Sequence, residues 1–413
     1  MAQPSTSHSA PIEFIFLGTG TSSSIPHVDC LTRPPYDPND STSKPPCRTC
    51  LSTLTPEGKK NIRRNTSALV RTKAQDGRDV TIVIDAGKTF QAAAVEWFPK
   101  HGLRNIDALL ITHAHADAMN GLDDLRGWTL GNSIQPHIDV YVSQATFTEV
   151  QRSFPYLVSK EYASGGGDVP DFVWHIIDDK VPFEINDTGI WVTPFSVHHG
   201  RIFSTIPPPA YLPTPSGMTG GTVTPALHSE PLEQALRLLS VNGTDPQKNT
   251  QEPVVQPYLC FGFKIQDEIV YLSDVSHIPE DAWSIIHGAK QRREGRPLPL
   301  CILDCLGLRS HTSHFGLEQS VAVAREISAT RTYLLGFSHI VSHQEYVTIT
   351  EAVGGAKVVD ENTLTENEQK GLHLIGSGEP FWIRPAHDGL RVVIDNGLVR
   401  DDTYSFREEP VSL

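Results

Sequence analysis

Residues 110–118 read Leu-Ile-Thr-His-Ala-His-Ala-Asp-Ala, and they form the most informative segment of this chain. An apolar run stops there, and three side chains that commonly bind metal ions follow at alternate positions: His113, His115 and Asp117. In an extended segment, residues two apart point the same way, so the three side chains can converge at the end of the preceding strand. The alternative is a polar loop that merely happens to contain two histidines. Further ligand-type residues downstream argue against that alternative.

Composition restricts the class of function. The chain has 413 residues, 34 Lys plus Arg and 48 Asp plus Glu, so its formal net charge is -14. Such a surface repels polyanions, which argues against nucleic acid as a partner and favours a small-molecule substrate. Residues 1–10 lack the features of a secretory signal, and no run approaches the ~20 apolar residues of a membrane span. We expect a cytoplasmic protein without membrane contact, with a nuclear location and the oligomeric state left open.

Ten apolar runs that end at polar or turn-forming residues predict strands. A helix is expected after Asp117, which would cap its start, and another over residues 317–327. The predicted strands cover residues 14–17, 67–71, 81–84, 108–112, 138–142, 190–197, 258–265, 269–272, 300–303 and 332–335.

The pattern predicts one domain over residues 11–399. Residues 1–10 are expected to be a flexible N-terminus, and residues 400–413 a C-terminal tail. Two segments rich in Pro, Gly and polar residues, at about 31–46 and 201–257, interrupt the strand pattern and are predicted to be loop insertions. The second insertion follows His199 almost directly, so we expect it to form a lid or flap beside the site.

Three more ligand-type residues each follow an apolar run. His199 follows residues 194–197, Asp274 follows residues 270–272, and His339 comes shortly after the run that ends at Leu335. Active sites of layered α/β folds collect at such strand ends. Each residue alone could be an ordinary loop residue, but the set in this order is improbable by chance.

This set of motifs resembles that of the metallo-β-lactamase superfamily. Asp85, residues 113–117, His199, Asp274 and His339 correspond to its five motifs in order. The resemblance implies an α/β fold, an αββα sandwich with a metal site at one edge of the two sheets. The branch that the chain resembles most is that of the tRNase Z-like phosphodiesterases, which contains the phosphoribosyl cyclic phosphate phosphodiesterase. The segments that carry this closer likeness are residues 18–22 (Gly-Thr-Gly-Thr-Ser), 64–67 (Arg-Asn-Thr-Ser), 121–126 and 385–389 (Pro-Ala-His-Asp-Gly).

The resemblance implies one or two Zn²⁺ or Mn²⁺ ions. His113, His115 and His199 form a three-imidazole site that suits Zn²⁺. A second ion, ~3.5–4 Å away, would be held by Asp117, His339 and a bridging Asp274. Asp85 is then expected to contact the metal ligands without binding the ion itself.

The sequence departs from the family pattern at Ala118, where the usual motif has a histidine. Either the second ion binds more weakly, or a neighbouring residue compensates for the missing imidazole. The candidates are His277 and the acidic pair Asp123 and Asp124. The alternative is that His277 caps a surface helix and the acidic pair lies on a solvated face.

Three cysteines suggest a further, structural metal site. Cys47 and Cys50 have Cys-x-x-Cys spacing, and Cys30 lies in the same polar region, a pattern typical of tetrahedral zinc sites. The resemblance implies that His343 completes this site. Free thiols are the alternative. The remaining cysteines, Cys260, Cys301 and Cys305, are expected to be buried thiols.

The predicted chemistry is hydrolysis of a small phosphoester or cyclic phosphate. The resemblance implies attack by metal-bound hydroxide, with Asp117 and Asp274 in catalytic roles as metal ligands. His314 is the candidate general acid, because an expelled alkoxide needs a proton, and His311 is its nearby competitor. Two alternatives remain open: a thioester, amide or lactone hydrolase of the same fold, and a metal-binding scaffold with reduced or lost catalysis.

Overall fold

The computed structural model describes residues 10–203, 256–292, 296–357 and 361–405. The chain divides into a large unit, residues 1–200 with 258–413, and a small unit, residues 201–257. The candidate site lies in the large unit. The predicted lid at 201–257 lies outside the described residues except at its two ends, and so does nearly all of the N-terminal segment 1–10.

The strands of the large unit form two sheets. The first is eight-stranded, in the order β15-β14-β1-β2-β3-β4-β5-β6, and the second is seven-stranded, in the order β13-β12-β11-β10-β9-β8-β7. The strand bounds are β1 Ile12–Gly18, β2 Ser67–Lys73, β3 Asp79–Ile84, β4 Ala108–Leu110, β5 Ile138–Val142, β6 Phe172–Ile176, β7 Phe183–Glu184, β8 Trp191–Arg201, β9 Pro257–Ile265, β10 Ile269–Leu272, β11 Leu300–Asp304, β12 Arg331–Leu335, β13 Ile383–Pro385, β14 Arg391–Asp395 and β15 Leu398–Asp401.

The helices are short to medium in length. Their bounds are α1 Val28–Leu31, α2 Arg48–Ser52, α3 Phe90–His101, α4 Ala116–Met119, α5 Arg126–Thr129, α6 Gln144–Ser153, α7 Pro155–Val158, α8 Glu280–Arg292, α9 Leu317–Ile327, α10 His343–Val353 and α11 Glu366–Leu374. No helix in the described ranges has the length and apolar character that crossing a membrane requires.

Side-chain alternation along the strands produces the layers. In β1, Phe14 and Phe16 face the core between the sheets, where they lie near Tyr271 and Tyr333 of the second sheet. The intervening residues of β1 point the other way and pack with the apolar face of α3. The second sheet packs on its outer side against α9 and α10. The predicted αββα sandwich is therefore confirmed.

Each of the ten predicted strands is present, and α9 has the predicted bounds. The sequence did not predict five short or edge strands, β6, β7 and β13–β15. The predicted cap of the helix after the metal motif was wrong, since α4 begins at Ala116 with His115 at the N-cap position. The C-terminal tail begins later than predicted, because β15 ends at Asp401 and Tyr404 is still buried.

Parallel pairing aligns the ends of the strands that matter for function. β3 is parallel to β4 in the first sheet, and β10, β11 and β12 are parallel in the second. The residues that follow these strands therefore collect at one edge, as is usual for ligand sites of α/β folds.

Candidate active site

His113 follows β4 and is held by a buried chain of hydrogen bonds. The Asp85 carboxylate accepts hydrogen bonds from the Thr112 amide and the Thr112 hydroxyl, both at 2.8 Å. Because that hydroxyl has donated its proton to Asp85, it accepts one from His113 Nδ1, which lies 2.8 Å away. His113 Nε2 then carries a lone pair, and it is buried without a hydrogen-bond partner. An unpaired buried imidazole nitrogen fits a metal ligand.

This chain of hydrogen bonds places Asp85 where the sequence predicted it, behind the ligands. Asp85 has a positive φ of 62°, a backbone conformation that is uncommon for residues other than glycine. The turn after Asp85 packs tightly on the metal motif, since a Cβ at Gly87 would lie 1.8 Å from the Asp117 carbonyl oxygen. Only glycine permits this approach.

Replacing Thr112 with valine should weaken metal binding about 10- to 100-fold, because it removes the partner that fixes the His113 tautomer. The measurement is a titration of the metal-free protein with Zn²⁺ against a competing chelator. Thr72→Val is a matched control, since Thr72 is likewise a buried threonine, but its hydroxyl donates to the Pro11 carbonyl, away from the site. Equal Zn²⁺ affinity of the Thr112 and Thr72 variants would contradict the proposed role of Thr112 in fixing the His113 tautomer.

Two further imidazoles converge on His113. The ring centroids of His115 and His199 lie 4.6 and 5.0 Å from that of His113, and 5.0 Å from each other. One nitrogen of each of the three rings lies within 4.8 Å of the others. Tyr258 stacks on His115 with a centroid distance of 4.6 Å and so restricts its ring. The structure thus brings together the three predicted imidazole ligands.

The hydrogen bonds of His199 assign its free nitrogen. His199 Nδ1 lies 2.8 Å from the Ser313 carbonyl oxygen and must donate to it. Its Nε2 therefore carries a lone pair, and it lies 3.2 Å from His115 Nδ1. Burial lowers the pKa of His113 to about 3, and burial with the neighbouring His199 lowers that of His115 to about 4. Imidazole nitrogens that face one another this closely suit a shared divalent cation.

Asp274 follows β10 and brings a negative charge to these rings. Its carboxylate lies in one ligand group with His113 and Cys260, and in another with His199 and His314. Burial alone would raise the pKa of Asp274, but the surrounding histidines outweigh burial and lower it to about 2. Asp274 is therefore ionised at neutral pH and compensates part of the charge of a cation held by the imidazoles.

His314 lies beside this group and is fixed by Asp304, a residue that the sequence analysis did not single out. His314 Nδ1 lies 2.8 Å from Asp304 Oδ2 and 3.9 Å from Asp274 Oδ1, and its ring centroid is 4.7 Å from that of His199. Burial alone would lower the pKa of His314, but the Asp304 carboxylate raises it to about 9. The sequence feature that could have identified Asp304 is its position: it is the single acidic residue of an otherwise apolar strand, and it stands at the end of that strand.

Asp117 lies near the imidazoles but is not part of their ligand group. Burial and the adjacent Asp274 raise its pKa to about 6. Among the residues that the structure describes, no group of three His, Cys, Asp or Glu ligand atoms within 4.8 Å of one another contains Asp117. The structure therefore brings Asp117 to the edge of the site but not into a three-donor set.

The residues proposed to compensate for Ala118 lie elsewhere. His277 faces His198, with a centroid distance of 5.0 Å, and Asp123 pairs with Arg126 at 2.7 Å. Neither they nor Asp124 belong to any ligand group in the described part of the chain. The competing acid candidate, His311, bonds to the Ser313 hydroxyl at 2.9 Å and is exposed.

The cysteine cluster is present, but its histidine differs from the predicted one. His339 Nδ1 lies 3.3, 3.5 and 3.6 Å from the sulfur atoms of Cys30, Cys47 and Cys50. Four donors of Cys₃His type at such distances match a structural zinc site. Burial raises the pKa of Cys50 to about 12, so its thiol stays protonated at neutral pH unless a cation displaces the proton.

Two sequence assignments are corrected by this arrangement. His339, expected to bind the second catalytic ion, lies with the cysteines. His343, expected to complete the cysteine cluster, begins α10 and is buried, with its Nε2 3.1 Å from the Tyr404 hydroxyl. The physical reason lies in the loop between β12 and α10. The buried Arg63 guanidinium donates to the carbonyl oxygens of Ser338 and Val341, at 2.5 and 3.0 Å, and so fixes the backbone on both sides of His339.

His339→Gln should release one metal ion per chain and lower the melting temperature, because a structural zinc ion contributes to folding. His343→Gln should keep that ion, even if the loss of its contact with Tyr404 lowers stability. Metal content and thermal unfolding of both variants measure the difference. Retention of the ion in the His339 variant, with loss in the His343 variant, would restore the assignment made from the sequence.

Comparisons with known proteins agree with this architecture. A model of the beta-lactamase superfamily domain matches residues 80–212. An octanoyltransferase of Porphyromonas gingivalis is 30% identical over 190 residues, which are 46% of this chain and 31% of that protein. The chain thus spans about a third of the length of the curated relative that it matches.

A solved structure shares the fold over most of the chain. A diphosphatase from the PhnP family is similar with a TM-score of 0.55 and 19% identity, covering 93% of this chain and 97% of that one. Yeast PDE1 has a TM-score of 0.46 and 11% identity, with coverage of 93% and 99%. Residues 80–212 thus match the beta-lactamase superfamily domain, and the chain shares its fold with the diphosphatase of the PhnP family.

Proposed function

We propose that this chain is a metal-dependent phosphodiesterase that hydrolyses a small phosphoester or a cyclic phosphate. The observation that carries the proposal is His314, which Asp304 holds in its charged form directly beside the three-imidazole group. The shared fold with a diphosphatase of the PhnP family is consistent with it.

The buried, unpartnered nitrogen of His113 and the facing nitrogens of His115 and His199, which lie 3.2 Å apart, fit a divalent cation, and three imidazoles favour Zn²⁺ over Mn²⁺. Such a cation would acidify water and withdraw electrons from the ester. Asp274 offsets the charge of that cation, and the hydrogen bonds to Thr112 and Ser313 hold two of the rings in the required tautomer.

His314 supplies the proton that a departing alkoxide needs. Its Nδ1 is fixed by Asp304, which leaves the Nε2–H of the imidazolium for the leaving oxygen. A thiolate leaves without such help, because a thiol has a pKa of about 8.5. The charged histidine therefore favours an oxygen ester over the thioester alternative, and its positive charge suits an anionic phosphoester.

A substrate panel on the full chain, loaded separately with Zn²⁺ and Mn²⁺, tests the proposal. It should include an acyclic phosphodiester, a cyclic phosphate, a thioester and a lactone, each assayed also with His115→Ala. We expect the highest kcat/KM on a phosphoester and its loss in the variant. Faster turnover of the thioester or lactone would favour the other hydrolase class. Full metal content without turnover of any substrate would favour a scaffold.

A further inference from the structure

The donors predicted for a second catalytic ion are not assembled in the structure. One of them, His339, faces three thiol sulfurs at 3.3 to 3.6 Å through its Nδ1. In the described part of the chain, His339 belongs to the ligand group of these cysteines and to no group that contains Asp117 or Asp274. Of the three predicted donors, this leaves Asp117 and Asp274.

Ala118, which follows Asp117 in the chain, and Gly336, near the Ser273 backbone, offer no replacement donor. Ala118 is buried and has no donor atom in its side chain. Gly336 directly follows β12 with a φ of +80°, and a Cβ there would lie 2.5 Å from Asp304 Oδ1. The Asp304 carboxylate thus occupies the space that a side chain at position 336 would need.

The ligand groups that contain Asp274 do not make a second site either. Within the described ranges there are two such groups, one shared with His113 and Cys260 and one shared with His199 and His314. Each includes an imidazole of the three-histidine group. His113 Nδ1 donates to Thr112 and His199 Nδ1 donates to the Ser313 carbonyl, so each ring has one nitrogen left for a metal. Neither ring can bind two ions at once.

Among the described residues, with His314 Nδ1 bonded to Asp304, a second ion would have two carboxylates that the first ion does not use, Asp117 and Asp274. Catalytic zinc sites have three protein donors. We infer that the active centre binds a single divalent cation, through His113, His115 and His199 beside Asp274, and that the chain binds two ions in all, the other at the cysteine cluster. This inference rests on the proposed metal-dependent function of the same site.

Metal content per chain tests the inference. The full-length protein, metal-loaded and then desalted, is measured by elemental analysis and by native mass spectrometry. We expect two ions in the wild type, one in His113→Ala, one in His339→Gln and two in Asp117→Ala. Asp123→Ala is the matched control for Asp117→Ala, because it removes the same charge six residues away, where Asp123 pairs with Arg126. A wild-type value of three or of one overturns the inference.

Two further variants locate any third ion. If Asp117→Ala lowers the content from three to two, a second catalytic site built on Asp117 exists. If His314→Ala does so, His314 is a metal ligand. Binding of Co²⁺ gives an independent readout, since a thiolate–cobalt absorption band that persists in His113→Ala shows that this variant is folded and keeps the cysteine site.

The one-ion inference and the proposed function can fail independently of each other, because different measurements test them. Metal content is measured without substrate, whereas the function is measured by turnover. Three ions together with phosphoester hydrolysis would overturn the inference and leave the function. Two bound ions without hydrolysis of any phosphoester would overturn the proposed function and leave the one-ion inference intact.

Discussion

His113→Ala should abolish hydrolysis, lowering kcat/KM by on the order of 10³-fold or more, because the cation that acidifies water and stabilises charge is lost. The buried Nε2 of His113 has no hydrogen-bond partner in the described structure, which fits a nitrogen that binds the ion. Steady-state kinetics on the best phosphoester of the panel, together with metal content, measure the effect.

His137→Ala is the control for this substitution. His137 is exposed and lies 3.6 Å from Asp139, away from the three imidazoles, so its loss should leave both activity and metal content unchanged. Full activity of the folded His113 variant, with an unchanged number of bound ions, would remove the basis for the metal site.

His314→Gln should lower kcat by ~10²- to 10⁴-fold while the ions stay bound, because it removes the proton donor for the leaving oxygen. The pKa of His314 is raised to about 9, so the acid form predominates at neutral pH. Since the protonated form is the active one, the wild-type rate should fall as pH rises through about 9, and the variant should lack this decline. A pH–rate profile of both proteins measures this.

The leaving group separates an acid from a merely structural residue. A diester that releases a nitrophenolate needs little protonation, so His314→Gln should affect it far less than a diester that releases an alkyl alkoxide. An equal loss on both substrates, or a wild-type rate that stays constant above pH 9, would show that His314 does not act as the acid.

The residues of the three-imidazole group could be predicted from sequence because each has a local signal. His113 and His115 follow β4 at alternate positions, and His199 lies near the end of β8. Strand ends meet at one edge of an αββα sandwich, so the pattern of apolar runs, together with the resemblance to the metallo-β-lactamase superfamily, predicted that these side chains lie together. Asp274, two residues after β10, follows the same logic.

The division of histidines between the two metal sites could not be predicted in this way. His339 and His343 are both polar residues after the same strand, and their spacing alone does not say which one faces the thiols. The backbone on both sides of His339 is held by Arg63, which is distant in sequence and donates hydrogen bonds to two carbonyl oxygens of the loop. Asp304 was missed for a related reason, since its role depends on contact with His314 rather than on spacing.

Hydrolysis in ¹⁸O-labelled water tests the central claim most directly. If the centre activates water for attack on phosphorus, the metal-loaded wild type should place one ¹⁸O atom in the phosphoryl product for each bond that is cleaved. His113→Ala should show no labelled product above background. Label recovered in the released alcohol, or no labelled product from any phosphoester while both metal sites are filled, would contradict a phosphodiesterase at this site.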